Sequence, residues 1–244
     1  MERLDHVLIR VDDLEACVNV FRRAGFKVYY GTQMENAYNA MIYFQDQSFI
    51  ELVDTTKFPF LLKLLAKSKL LYVLGNFYRR IGAYALSNDL FLDYSIYAKD
   101  IEKQHERVKK KVSKLYHLKR KDVFGALLQW KLFVPSSSQL PFVMSDYKPH
   151  KLPEKNATEH KNKALGIRQV DIWTTYDLEK LQHEMLSVYD SNKAQLCLNG
   201  ETLEIKTKNA NIIYQKAQVN KIVSIRLNSI KPNLLSSLVD YGIS

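Results

Sequence analysis

Three times along the chain, a short run of alternating apolar and polar positions gives way to an apolar stripe of helical period. The first run is Leu4-Asp5-His6-Val7-Leu8-Ile9-Arg10-Val11, whose alternation predicts a strand with His6 on one of its faces. Leu14, Cys17, Val18 and Phe21 follow at helical offsets and predict one apolar helix face over 14–24. Asp12 or Asp13 caps that helix, because a short carboxylate accepts the free N–H groups of a first turn, and Gly25 ends it. Strand-like runs then occupy 26–31, 38–45 and 48–55, the last carrying Glu51.

The same order returns twice. Leu92–Ala98 leads to Asp100-Ile101-Glu102, with helical periodicity through Val112 and strands expected at 115–118, 126–134 and 140–145. Ile167–Trp173 leads to Asp177-Leu178-Glu179, a helix to about Tyr189, and strands at 194–198, 202–206, 211–215 and 222–227, with Asn199-Gly200 as a hairpin turn. The capping aspartates stand at 13, 100 and 177, and three strand–Asp–helix copies in register argue for internal repetition. The layout is therefore residues 1–147 as a pair of βαβββ units, a polar linker over 148–163 and a third related unit over 164–244. Residues 56–89 interrupt the pair with an apolar and basic insert of two helices, broken near Lys67-Ser68 or at Gly75. Residues 231–244 are expected to form a short helix or tail.

At 244 residues with 46% hydrophobic content, the chain is long enough to bury a sizeable core. No apolar run reaches the ~20 residues of a membrane span, and the first residues enter a strand directly, without a signal peptide. The only cysteines are Cys17 and Cys197. Cys17 falls in the first helix's apolar stripe, which predicts a buried thiol and a cytoplasmic setting. The net charge of +10 is concentrated in two places. Lys99–Lys121 holds ten Lys/Arg against three acids, and Lys57–Asn88 holds six with no acid. No nucleic-acid motif accompanies either stretch, so neither nucleic acid nor membrane is the expected partner. Eight glycines and the lack of a phosphate-binding loop argue against a dinucleotide fold, and there is neither a nucleophile elbow nor a paired-Cys zinc spacing.

The β-α-β-β-β order, with His6 on its first strand and Glu51 on its last, resembles the vicinal oxygen chelate superfamily of glyoxalase, bleomycin-resistance and dioxygenase proteins. Within it, the chain looks most like bacterial glyoxalase-like domain proteins. Gln129-Trp130-Lys131-Leu132 with Leu140-Pro141-Phe142 resembles that family's second-module strands, and Asn162–Gly166 the start of its C-terminal module. The resemblance implies an α+β fold in which paired βαβββ modules form curved mixed sheets around a cavity.

It further implies divalent-metal ligands on the first and last strands of each module: His6 and Glu51, with Asp93 at the place in the second module that His6 holds in the first. Imidazole and carboxylate together suit Fe, Mn, Ni or Zn. The chain departs from the pattern at Val143-Met144, which donate nothing where a second-module ligand would stand, and at Ala37-Tyr38, where a histidine often precedes the third strand. What the resemblance implies in function is a metal-dependent lyase, isomerase or dioxygenase acting on a small oxygen-bearing molecule, with Glu51 also able to move a proton. Its alternative is a protein that binds or sequesters a small molecule in the same cavity. Tyr38, Tyr43, Tyr97 and Trp130 are the expected pocket aromatics, and Arg79 and Arg80 the expected charges for an anionic ligand. The insert is then a lid, a helix pair packed outside the sheet, or a basic amphipathic element on a membrane surface. A homodimer is left open.

Overall fold

The computed structural model describes residues 3–121, 125–149, 155–189, 195–229, 238 and 240–241; most of the expected C-terminal helix or tail lies outside them. The first repeat is β1 (Leu4–Val11), α1 (Leu14–Arg23), β2 (Tyr29–Tyr30), β3 (Asn39–Tyr43) and β4 (Phe49–Asp54). Asp13 caps α1 by accepting the Ala16 N–H at 2.9 Å. The stripe Leu14, Cys17, Val18 and Phe21 is buried, and burial pushes the Cys17 thiol up to about 12. The insert folds as α2 (Phe60–Lys67), a 3₁₀ turn at Leu70–Tyr72 and α3 (Asn76–Leu86), so it breaks at both expected places. Lys69 and Gly75 supply the positive φ angles, 61° and 102°, that turn the chain there.

The second repeat is β5 (Phe91–Tyr97), α4 (Ile101–Val108), β6 (Tyr116–Lys121), β7 (Leu127–Phe133) and β8 (Phe142–Met144). A short α5 (Lys155–Thr158) precedes the third: β9 (Ala164–Thr174), α6 (Leu178–Val188), β10 (Leu196–Asn199), β11 (Thr202–Lys206) and β12 (Asn211–Lys216), followed by β13 (Lys221–Ser229). Asp100 and Asp177 cap α4 and α6 as Asp13 caps α1.

The first two repeats share one eight-stranded sheet of order β2-β3-β4-β1-β5-β8-β7-β6. Read outward from its centre, each half repeats the same sequence of strands. The halves join where β1 and β5 pair antiparallel, with His6 opposite Ser95 and Leu8 opposite Asp93. The third repeat forms its own sheet, β10-β11-β12-β9-β13, and β13 lies antiparallel to β9 as β5 lies to β1. The architecture is thus the α+β arrangement of βαβββ modules.

Alternation sorts the side chains of the larger sheet. Val7, Ile9, Ala40, Ile42, Ile50 and Leu52 point into a core shared with α1, α6 and the third sheet. Asn209 ties the two sheets by bonding both the N–H and the C=O of Leu4, at 2.8 and 3.1 Å. Tyr94 and Tyr214 hydroxyls meet at 2.6 Å between them. The opposite parity, including His6, Leu8 and Glu51, faces a concave surface that α3 covers.

Two expected elements differ. The strand expected over 26–31 is reduced to two residues, because the Lys27 N–H bonds His160 Nδ1 at 3.0 Å instead of a neighbouring strand. The described part of the expected linker is docked: His160 and Asn162 are buried, and Asn162 Nδ2 donates to the Ala24 carbonyl at 2.8 Å.

Candidate functional site

The concave face encloses a cavity of about 190 Å³. β1 delivers His6, β4 Glu51 and β3 Asn39; β6 and β7 deliver Arg120 and Trp130; α3 closes the top with Phe77, Arg80 and Tyr84. Period-two alternation puts all the strand residues on one face, so a single curved sheet supplies most of the wall.

His6 is held on every side. Its ring stacks on Phe49 with centroids 4.4 Å apart and meets the edge of Phe142 at 5.4 Å. Its Nδ1 lies 2.9 Å from both Asp5 Oδ2 and Ser95 Oγ. A carboxylate can only accept there, so Nδ1 carries a proton, and Nε2 is the ring nitrogen turned to the cavity. That nitrogen faces Glu51 Oε2 at 3.7 Å. Asn39 fixes the other oxygen of Glu51, with Nδ2 donating to Oε1 at 2.7 Å. An imidazole nitrogen and a carboxylate oxygen that face each other in this way call for a proton or a cation between them. If a divalent ion is held on this face, His6 Nε2 and Glu51 Oε2 are the atoms that would hold it, and it would supply Lewis-acid chemistry there.

Asp93 does not join them. It pairs with Leu8, two residues along from the His6–Ser95 pair, and its carboxylate is engaged elsewhere. Arg80 Nε meets Asp93 Oδ2 at 2.5 Å, the Tyr84 hydroxyl donates to that same oxygen, and the Tyr94 N–H donates to Oδ1 at 2.8 Å. Burial pushes the Asp93 carboxyl above the ordinary carboxylate range, and Arg80 is foremost among the groups opposing it. Arg80 is itself largely buried; burial is the strongest single influence and works against its charge, and Asp93 together with the neighbouring Tyr84 and Tyr189 more than offsets it. Its Nη2 donates to the Leu140 carbonyl at 2.6 Å, while Nη1 is a buried donor with no partner among the described residues. Among the described residues, no cluster of three His, Cys, Asp or Glu side chains is arranged to hold an ion. His6 and Glu51 would give an ion two donors among the described residues, one fewer than the three protein donors that an open site ordinarily has.

Of the expected pocket aromatics, Tyr38 and Trp130 line the cavity. Tyr43 lies beyond it with its ring against Phe49, and Tyr97 packs under the Arg3 guanidinium and donates to Asp146 at 3.0 Å. Arg79 donates to the Ser136 carbonyl at 2.7 Å and borders a second, larger cavity of about 610 Å³ behind the Arg80–Tyr84–Asp93 wall. That cavity lies between α3, the 134–139 loop and the third sheet, and neither His6 nor Glu51 reaches it.

Several site residues escaped the sequence reading. Asp5, Ser95, Asn39, Tyr84 and Tyr147 carry no motif. Arg120 sits in a run of basic residues, but strict alternation from Tyr116 to Lys121 would have turned Tyr116, Leu118 and Arg120 inward together. It lines the cavity, donates to the Gly31 carbonyl at 2.9 Å and stands 5.7 Å from the centre of the Tyr147 ring. Burial pushes the Tyr38 and Tyr147 hydroxyls up, so both remain donors at neutral pH.

A hypothetical protein from Staphylococcus aureus has a similar structure, with a TM-score of 0.71 at 16% identity over 93% of this chain and 90% of its own. The Mn(II)-bound glyoxalase from Novosphingobium aromaticivorans is similar at a TM-score of 0.56 and 10% identity, over 98% of this chain and 71% of its own. The 2,2′,3-trihydroxybiphenyl 1,2-dioxygenase from Sphingomonas wittichii is similar at 0.52 and 11%, over 100% and 80%. At these identities the likeness is one of fold. No curated protein matches the chain in sequence. The glyoxalase-like domain family matches residues 4–188, which takes in both halves of the larger sheet, the insert and the start of the third repeat. The chain belongs to the glyoxalase-like domain family, within the vicinal oxygen chelate superfamily.

Proposed function

We propose that this protein is a divalent-metal-dependent lyase, isomerase or dioxygenase acting on a small oxygen-bearing acid, with His6 and Glu51 as the protein donors to the ion. The observation that carries the reading is the posture of His6. Asp5 and Ser95 hold Nδ1, two aromatic rings hold the plane, and Nε2 is left facing Glu51 across 3.7 Å. Carboxylate support behind an imidazole is what orients a metal-binding histidine. The Mn(II) named for the Novosphingobium glyoxalase supports manganese among the ions considered. An ion held here would act as a Lewis acid toward substrate oxygens.

The remaining roles belong to the chain itself. Glu51, oriented by Asn39, can hold or move a proton at Oε2. Arg120 and Nη1 of Arg80 favour a carboxylate or similar anion. Phe77, Trp130 and Phe142 exclude water around it. Asp93 acts through Arg80, by fixing the guanidinium in the wall.

A second reading is binding or sequestration without catalysis, and the engagement of Asp93 by Arg80 and Tyr84 is what favours it. Elemental analysis of protein purified without chelator separates the two, together with metal-dependent thermal stabilisation of wild type, His6→Ala and Glu51→Gln. The metal reading expects bound divalent metal and stabilisation that both substitutions abolish. Wild type with neither, or variants that behave like it, would leave sequestration as the function.

A further inference from the structure

The insert buries one side and exposes another that is just as apolar. On α2, Ala66 turns toward α3, where Gly82 leaves room for it; a Cβ on Gly82 would stand 3.3 Å from that of Ala66. The opposite side carries Phe60, Leu61 and Leu64 in solvent, Phe60 with 80% of its surface exposed. The chain then turns at residues 70–74 and exposes Leu70, Tyr72, Leu74 and Val73, the last at 82%. Of the fifteen large apolar side chains exposed among the described residues, eight lie between 60 and 78. So dense a patch is rarely left to water in a soluble domain.

The charge around this patch decides what covers it. Lys67 and Lys69 are exposed around it, the Lys57 amine donates to the Ala37 carbonyl at 2.7 Å instead, and residues 57–88 contain no acid at all. Helical geometry places Lys63 and Lys67 on the flank of the Phe60–Leu64 face. An isologous dimer through this face would set two acid-free basic patches against each other. A partner that accepts apolar side chains and is itself negatively charged fits both features. No described helix is long and apolar enough to cross a membrane, so the contact is interfacial.

We propose that the outer face of the insert docks the protein on an anionic lipid surface, with Phe60, Leu61, Leu64 and the 70–74 turn entering the headgroup layer and the lysines meeting lipid phosphate. The inner face of the same unit, through Phe77, Arg80 and Ile81 of α3, walls the His6–Glu51 cavity, so the docked face on α2 and the 70–74 turn and the cavity wall belong to one helical insert.

The test is co-sedimentation of the full chain with vesicles of phosphatidylcholine alone or mixed with phosphatidylglycerol, alongside sedimentation velocity without lipid. Each surface lysine contributes about fivefold to binding an anionic surface, so Lys67 and Lys69 predict a preference for the mixed vesicles of roughly thirtyfold, weakened by salt. Phe60→Ser with Val73→Asp should abolish pelleting. Lys67→Glu with Lys69→Glu should remove the preference, and circular dichroism should show both double variants folded. Failure of the wild type to pellet, equal binding to both vesicles, or binding indifferent to these substitutions would overturn the proposal. So would a lipid-free dimer that Val73→Asp dissolves, which would assign the face to a second copy.

Discussion

Replacing His160 should change how stability depends on pH, not merely how large it is. His160 is buried between Phe26 and Phe44, with ring centroids 5.2 and 5.3 Å away. Its Nδ1 accepts the Lys27 N–H at 3.0 Å and its Nε2 lies 3.0 Å from the Tyr43 carbonyl, so the neutral ring uses both nitrogens. A proton on Nδ1 would put two donors face to face in an apolar slot beside a lysine. Burial accordingly lowers the imidazole from 6.5 to about 4, with Lys27 adding to the effect. Between those values the unfolded chain binds the extra proton and the folded one does not. The contribution is therefore complete above pH 6.5 and is lost as pH falls toward 4. The interval converts to about 3 kcal/mol. The assay is urea unfolding of wild type and His160→Gln from pH 7 to 4, compared as a difference so that titrations common to both cancel. The variant should be less stable at pH 7, by about 1–3 kcal/mol for the orphaned Lys27 N–H and Tyr43 carbonyl. That difference should then shift by about 3 kcal/mol in the variant's favour by pH 4, closing or reversing the gap. A gap constant across that range would refute the assignment of His160 as a buried neutral brace.

Asp5→Asn should weaken divalent-metal stabilisation by about 10–100-fold, read as a shift in a Mn²⁺ titration of melting temperature, because it removes the carboxylate behind His6. Arg80→Gln should cost about 3–5 kcal/mol in urea unfolding by leaving Asp93 buried without its counter-ion, whereas Arg80→Met with Asp93→Leu should recover most of that loss. Gly82→Val should cost about 1–3 kcal/mol, since even its Cβ would lie 2.8 Å from Leu71 Cδ1; a cost below about 0.5 kcal/mol would show that the α2–α3 contact is looser than described.

The repeat was legible because it is written in short-range terms. Asp13, Asp100 and Asp177 cap their own helices through bonds three residues away, and the stripe from Leu14 to Phe21 needs only helical period to be recognised. His6 and Glu51 were also within reach, because each stands at a defined place in a recognisable cassette and alternation turns both to the same face. What the sequence could not decide is whom a residue meets across the sheet. Asp93 holds the place in its cassette that His6 holds in the first, yet cross-strand register sets Ser95 opposite His6 and gives Asp93 to Arg80, thirteen residues away on the inserted helix. Tyr43 and Tyr97 were aromatic enough for a pocket, but position along their strands carried them past its rim. His160 looked like a linker residue until tertiary packing set it between two phenylalanines and two main-chain groups more than a hundred residues away. Local periodicity determined the elements and the face on which the chemistry stands; pairing between distant segments, which no local pattern encodes, decided which of those groups touch.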